Sequence, residues 1–184
     1  PIGSELKGKT LGLIGYGRSA RQLAPRAKAF GMKVIAVEKF YEGVSDPNLD
    51  FIGGVDKLEY LLNNSDFVSL HVPGEKETEG MIDKSRLAQM KKTAFLINVA
   101  RASIIVKADL IDALKAETIA GAGLDVFWKE PEDPKDEIFS LGNVVATPHV
   151  ATATRECRVK TGIRVAENIK LVAAGKKPAH CVNF

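Results

Sequence analysis

Three parts of this 184-residue chain place residues fit for chemistry at telling intervals. The first is Gly15-Tyr16-Gly17-Arg18-Ser19-Ala20, between the apolar run Thr10–Ile14 and a stretch in which Leu23, Ala27 and Phe30 recur at helical spacing. Gly15 can turn tightly out of a strand, Gly17 bares the backbone to a phosphate, and Ala20 is small enough for a helix to lie close on that strand. Helix amides would then face the anion. Such glycine patterns also occur in turns that bind nothing, so context must sharpen this one. It comes from Glu38, 21 residues after Gly17 at the end of the β-rich run Lys33–Val37, where a carboxylate can accept hydrogen bonds from ribose hydroxyls. The alternative for Glu38 is a solvated acid at a strand end. A carboxylate there repels a 2′-phosphate, so NAD is expected over NADP, with Lys39 as the neighbouring opposite charge.

The second part is Arg101, directly after the buried run Ala94–Val99, whose planar, permanently charged fork matches a carboxylate. Taken singly it reads equally as a surface cation. The third is His149, after Pro148 at the end of the short run Val144–Thr147; imidazole exchanges protons near neutral pH. Of the other histidines, His71 reads as a packed or cofactor-side residue and His180 as a tail residue. Asp125 ends the apolar run Ile119–Leu124, and a carboxylate so placed needs a polar partner.

The elements that must hold these residues alternate. Strands are expected at Thr10–Ile14, Lys33–Val37, Asp66–Val72, Ala94–Val99, Ile119–Val126 and Val144–Thr147. Helices are expected after Gly17, around Leu58 to Leu62, over Ser85–Met90 and over Lys107–Lys115, and the stretch from Gly43 to Gly54 carries turn chemistry. Strand and helix in alternation predict an α/β fold, a doubly wound parallel sheet with helices on both faces. Ile163, Ala166, Ile169 and Val172 share one face of a closing helix, about residues 153–174, that stops at Gly175.

With 45% hydrophobic residues the chain can bury one substantial core, and a single domain over residues 1–184 is expected. The formal charge of +3 is scattered rather than gathered in a stripe, which argues against a nucleic-acid partner. The longest apolar stretch is broken by Asn98, Arg101 and Ser103, which argues against a membrane span. Cys157 and Cys181 have neither metal-ligand nor redox spacing, so no metal is expected and a cytoplasmic chain with reduced thiols is.

Leu70-His71-Val72-Pro73, Ile97-Asn98-Val99-Ala100-Arg101, Leu124-Asp125-Val126-Phe127-Trp128-Lys129-Glu130-Pro131 and Thr147-Pro148-His149 occur in order with the glycine turn. Together, from about Leu6 to Asn183, they make the chain resemble the Rossmann NAD-binding domain of the D-isomer-specific 2-hydroxyacid dehydrogenases. The resemblance implies Arg101 as the substrate-binding arginine, His149 as proton donor and Glu130 as the acid that orients it; alone, Glu130 reads as a solvated loop carboxylate beside Glu132 and Asp133. It implies that Asp125 bonds the nicotinamide carboxamide. By the same matching Gly15, Gly17, Arg18, Ser19, Glu38, Val72, Val99, Ala100, Arg101 and the backbone from His149 through Ala151 to Thr152 line the cofactor. Ala20, Ala102 and Thr152 stand where the family commonly has glycine, and Val106 where it has aspartate.

In that family a second lobe, built from residues before and after this domain, completes the active-site cleft. The chain starts at Pro1 and meets the glycine turn at once, so it reads as an excised or processed piece, expected to bind NAD yet turn over substrate poorly or not at all. Phosphoglycerate dehydrogenases and glyoxylate or hydroxypyruvate reductases are the nearest relations implied, and a homodimer is the usual assembly. A different class sharing the domain is the NAD-sensing co-repressor called C-terminal binding protein; a formate dehydrogenase would need glutamine in place of Glu130.

Overall fold

The apolar runs become strands covered on both sides, as near-continuous hydrophobic segments in parallel sheets are. In chain order the elements are β1 (Thr10–Ile14), α1 (Arg18–Ala29), β2 (Lys33–Val37), β3 (Phe51–Gly53), α2 (Leu58–Asn64), β4 (Phe67–Leu70), α3 (Lys84–Leu87), β5 (Phe95–Asn98), α4 (Lys107–Lys115), β6 (Gly121–Leu124), β7 (Val144–Ala146) and α5 (Arg155–Ala173). This computed structural model describes residues 3–181, so Asn183, where the resemblance ends, lies outside the described part. The chain forms two compact units, one ending at Pro148 and one beginning at His149.

In the first unit seven strands make one sheet in the order β3-β2-β1-β4-β5-β6-β7, every pair parallel. Leu11 of β1 stands in register with Val34 on one side and Phe67 on the other. The chain winds outward from β1 to β3, then returns to lay β4 on the other side of β1. The carboxyl ends of β1 and β4 therefore diverge, the crevice where open α/β sheets bind ligands. Leu11, Leu13, Val34 and Ala36 face Ala20, Ala24 and Ala27 of α1. The opposite face carries Ile14, Ile35, Val68, Leu70, Leu96 and Leu124 against Leu58, Leu61 and Leu62 of α2, Leu87 of α3, and Leu110 and Leu114 of α4. Helices on both faces are the expected winding.

Strand β3 lies in the stretch read as turn. It pairs Phe51 with Ile35 and Gly53 with Val37 at the sheet edge, and three residues next to Gly53-Gly54 are too few to show a period.

In the second unit the Thr154 hydroxyl accepts from the Cys157 amide at 3.1 Å and caps α5. The helix gives way to Gly175 at φ +67°, the stop expected from its sequence. Val159, Ile163, Val165, Ile169 and Val172 are exposed along it. No helix among the described residues is long and apolar enough to cross a membrane.

Candidate functional site

The glycine turn sits at the crevice between β1 and β4. Gly15 has φ +90°, and a Cβ there would stand 2.9 Å from both the His71 carbonyl carbon and the Val72 amide nitrogen, so only glycine lets the turn lie this close to the end of β4. The Gly15 amide donates to Val37 O at 2.8 Å, and the His71 amide to Ile14 O at 2.7 Å. Gly17 is the N-cap of α1 without a side-chain acceptor, and nothing stands within 4 Å of where its Cβ would be. Ala20 is fully buried on the face of α1 that meets the sheet, so the methyl replacing the family's glycine is accommodated.

Four side chains brace this turn. Glu38 Oε2 accepts the Tyr16 amide at 2.7 Å, and Oε1 accepts the Phe40 amide at 3.3 Å. The Tyr16 ring is buried, and its hydroxyl donates to Asp46 Oδ2 at 2.7 Å. Burial, then that carboxylate, push the Tyr16 phenol up to about 12. Asp46 is held below the usual carboxylate range by the same bond and by Asn48. Arg21 lies 4.8 Å from the Tyr16 ring centroid, and its Nε donates to Tyr16 O at 3.2 Å.

His71 joins the turn to the sheet. Its Nδ1 is 2.9 Å from Ser19 Oγ and its Nε2 is 3.0 Å from Ser69 Oγ, and burial pushes its pKa below the ordinary histidine value. A neutral ring has one N–H, so one serine receives it and the other donates.

Two cavities open here. One of about 620 Å³ is lined by Gly15, Gly17, Glu38 and Val72 together with Lys39 and Glu77. The other, about 500 Å³, is lined by Ser19, Val72, Val99, Ala100 and Arg101; both touch His71 and Pro73. The expected site residues on these walls follow the carboxyl ends of β1, β2, β4 and β5, as a switch-point crevice requires. A hollow of about 680 Å³ beside Lys92, Lys115 and Asn143 lies at the opposite ends of the strands and holds no expected site residue. Lys39 Nζ meets Glu77 Oε2 at 2.7 Å; the hydrogen-bonded carboxylate holds the ammonium above its usual range and is itself held below.

Arg101 is presented by a buried amide. Asn98, at the end of β5, donates from Nδ2 to Arg101 O at 2.9 Å and accepts the Ala100 amide at 3.0 Å, while the Arg101 guanidinium is exposed. Trp128 Nε1 donates to Ile105 O at 2.9 Å, tying the loop that carries Glu130 to the segment after Arg101. Glu130 Oε1 accepts the Phe127 amide at 3.2 Å. Asp125 is buried and accepts from the Thr147 hydroxyl at 2.6 Å, the partner its position demanded.

The expected set is thus only partly gathered in the two cavities. Arg18, Asp125 and Glu130 line neither. His149, at φ +52°, and Ala151 and Thr152 belong to the second unit. Neither Ala102 nor Thr152 has positive φ, so the added Cβ atoms demand no unusual backbone angle. Val106 is the N-cap of α4 and makes no side-chain cap bond, which is what an aspartate would supply. Among the described residues no cluster of three metal-ligating side chains occurs.

Residues 1–151 match the family described as D-isomer specific 2-hydroxyacid dehydrogenase, NAD binding domain. A glyoxylate reductase of Thermococcus litoralis is 45% identical over 184 residues, 99% of this chain and 54% of that protein. A D-3-phosphoglycerate dehydrogenase of Archaeoglobus fulgidus is 41% identical over 184 residues, 100% of this chain and 34% of that protein. The crystal structure of D-lactate dehydrogenase with NAD+ from Lactobacillus jensenii matches with a TM-score of 0.84 at 31% identity, covering 100% of this chain and 58% of that one. The chain spans about half the length of the curated reductases it matches.

Proposed function

The chain belongs to the NAD-binding domain family of the D-isomer-specific 2-hydroxyacid dehydrogenases, and from that premise we propose that it is the cofactor-binding part of an enzyme that interconverts a small 2-hydroxy acid and its 2-keto acid. The observation that carries the reading is the cavity in which the bare turn Gly15–Gly17 and the Glu38 carboxylate share a wall. A backbone approach with no side chain in the way, beside a carboxylate, fits a pyrophosphate next to a ribose. NADH, when bound, supplies the hydride.

In this reading the amides at Gly17, Arg18 and Ser19 hold the pyrophosphate, and Glu38 accepts the adenosine ribose hydroxyls. Val72, Val99 and Ala100 form walls, while Asp125 and the backbone of Ala151 and Thr152 serve the nicotinamide side. Arg101 holds the substrate carboxylate and polarises its carbonyl, a task suited to an exposed, permanently charged fork. His149 takes the role of proton donor to the developing alkoxide, and Glu130 that of the acid that orients it. Glyoxylate, hydroxypyruvate and similar small 2-keto acids are the substrate class. A homodimer and a cytoplasmic location belong to the same proposal, supported by the exposed apolar residues of α5 and by two cysteines that are free thiols.

Calorimetric titration with NADH and NADPH tests it. Saturable NADH binding that weakens in Glu38→Ala supports the site; absence of binding to either cofactor overturns it.

A further inference from the structure

Lys39 directly follows Glu38, and both line the cavity read above as the adenosine site. Three carboxylates reach that cavity, Glu38, Glu75 and Glu77, against the two cations Lys39 and Arg86. Arg86 donates from one guanidinium nitrogen to the Met81 carbonyl oxygen, whereas Lys39 adjoins Glu38 in the chain. Lys39 is then the cation beside the ribose-binding acid, on a flexible stem that can bring its ammonium to a phosphate. A lysine so placed would offset the repulsion Glu38 exerts on a 2′-phosphate.

Glu77 stands in the way. It lies 38 residues further along, after β4, and its Oε2 meets Lys39 Nζ at 2.7 Å. The two side chains are 58% and 72% exposed, so the pair contributes little to stability. Its consequence is local charge. We propose that Glu77 is a specificity-determining residue for the cofactor: by engaging the Lys39 ammonium it withholds that cation from a phosphate on the adenosine ribose and so favours NAD over NADP. This rests on the cofactor reading of the cavity. The sequence shows an acid next to a base at the end of β2; the contact that cancels the base joins two loops and is invisible there.

The experiment is titration of the 184-residue chain, Glu77→Gln, and Glu77→Gln combined with Lys39→Met, each with NADH and NADPH. Releasing one exposed lysine is expected to lower the ratio of the NADPH to the NADH dissociation constant roughly threefold to tenfold. The second substitution should restore the ratio, and the effect should shrink as salt is raised. A role limited to holding the loops together would move both constants alike. An unchanged ratio in Glu77→Gln, or a lowered ratio that persists after Lys39→Met, overturns the proposal while leaving NADH binding, and the cofactor reading, intact. A chain that binds neither cofactor, or whose NADH affinity ignores Glu38→Ala, overturns the reading and the proposal with it.

Discussion

The Glu38 carboxylate accepts the Tyr16 backbone amide at 2.7 Å, so the acid at the end of β2 fastens the middle of the glycine turn that leaves β1. The same group is thereby a structural brace and the proposed ribose acceptor. Glu38→Ala removes both roles and is expected to cost about 1–2 kcal/mol of stability, since a hydrogen bond to a charged acceptor is lost. Glu38→Gln keeps one acceptor oxygen for the Tyr16 amide and loses only the longer bond from Phe40, so it should cost less than the alanine variant, yet weaken NADH roughly tenfold through the lost charge. Thermal melts beside calorimetry separate the two; equal destabilisation by both variants would contradict the brace.

Arg101 hangs from a turn that Asn98 builds with its own amide, so the charge is held on a stiff base. Arg101→Lys retains the charge and loses the planar fork. Measured in an enzyme that joins this domain to the second lobe, with NADH and glyoxylate or hydroxypyruvate, kcat/KM is expected to fall on the order of 100-fold, more than the affinity for NADH does. A fall under about threefold would remove Arg101 from the substrate role.

His71 makes stability depend on pH in a defined direction. Burial lowers its folded pKa below 6.5, so the unfolded chain takes up a proton first as pH falls. The stability is fully present above the unfolded value and is lost as pH drops toward the folded one. Asp46, Asp50, Asp83 and Asp136 are held below 3.8 and keep their contributions throughout that window. Urea midpoints should therefore decline between about pH 7 and pH 5 in the wild type and decline less in His71→Gln. Parallel slopes would assign the dependence to another group.

At the start of α4, Val106 leaves the first-turn amides without a side-chain acceptor. Val106→Asp is expected to add about 1 kcal/mol and raise Tm by about 3 °C. A Tm that is unchanged or lower would show that the valine's own contacts outweigh the cap.

What could be read in the sequence was what is local. Gly15 turns at positive φ and Ala20 is buried against the sheet, as their spacing implied, and α4 spans the residues expected, Lys107–Lys115, because their signals lie within one turn or one helix face. Strand β3 escaped because its partner, not its own three residues, makes it a strand. The Tyr16–Asp46 bond, the Ser19–His71–Ser69 chain and the Lys39–Glu77 pair all join residues brought together by the winding of the sheet. Ser69 and Asp46 each look like ordinary strand or turn residues until the partner is in place. The roles of Glu130 and His149 rested on resemblance from the start, and remain proposals.

The two glycines of the turn differ in what they leave room for. At Gly15 any side chain strikes backbone, so a substitution there damages the fold before it can say anything about a ligand. At Gly17 the space is empty and the backbone, φ −80°, suits any residue. A methyl at Gly17 is thus silent in the free protein and felt only by whatever comes to rest against the turn, which makes this position a built-in probe of occupancy: its cost, measured as lost affinity with no lost stability, is the footprint of the guest alone.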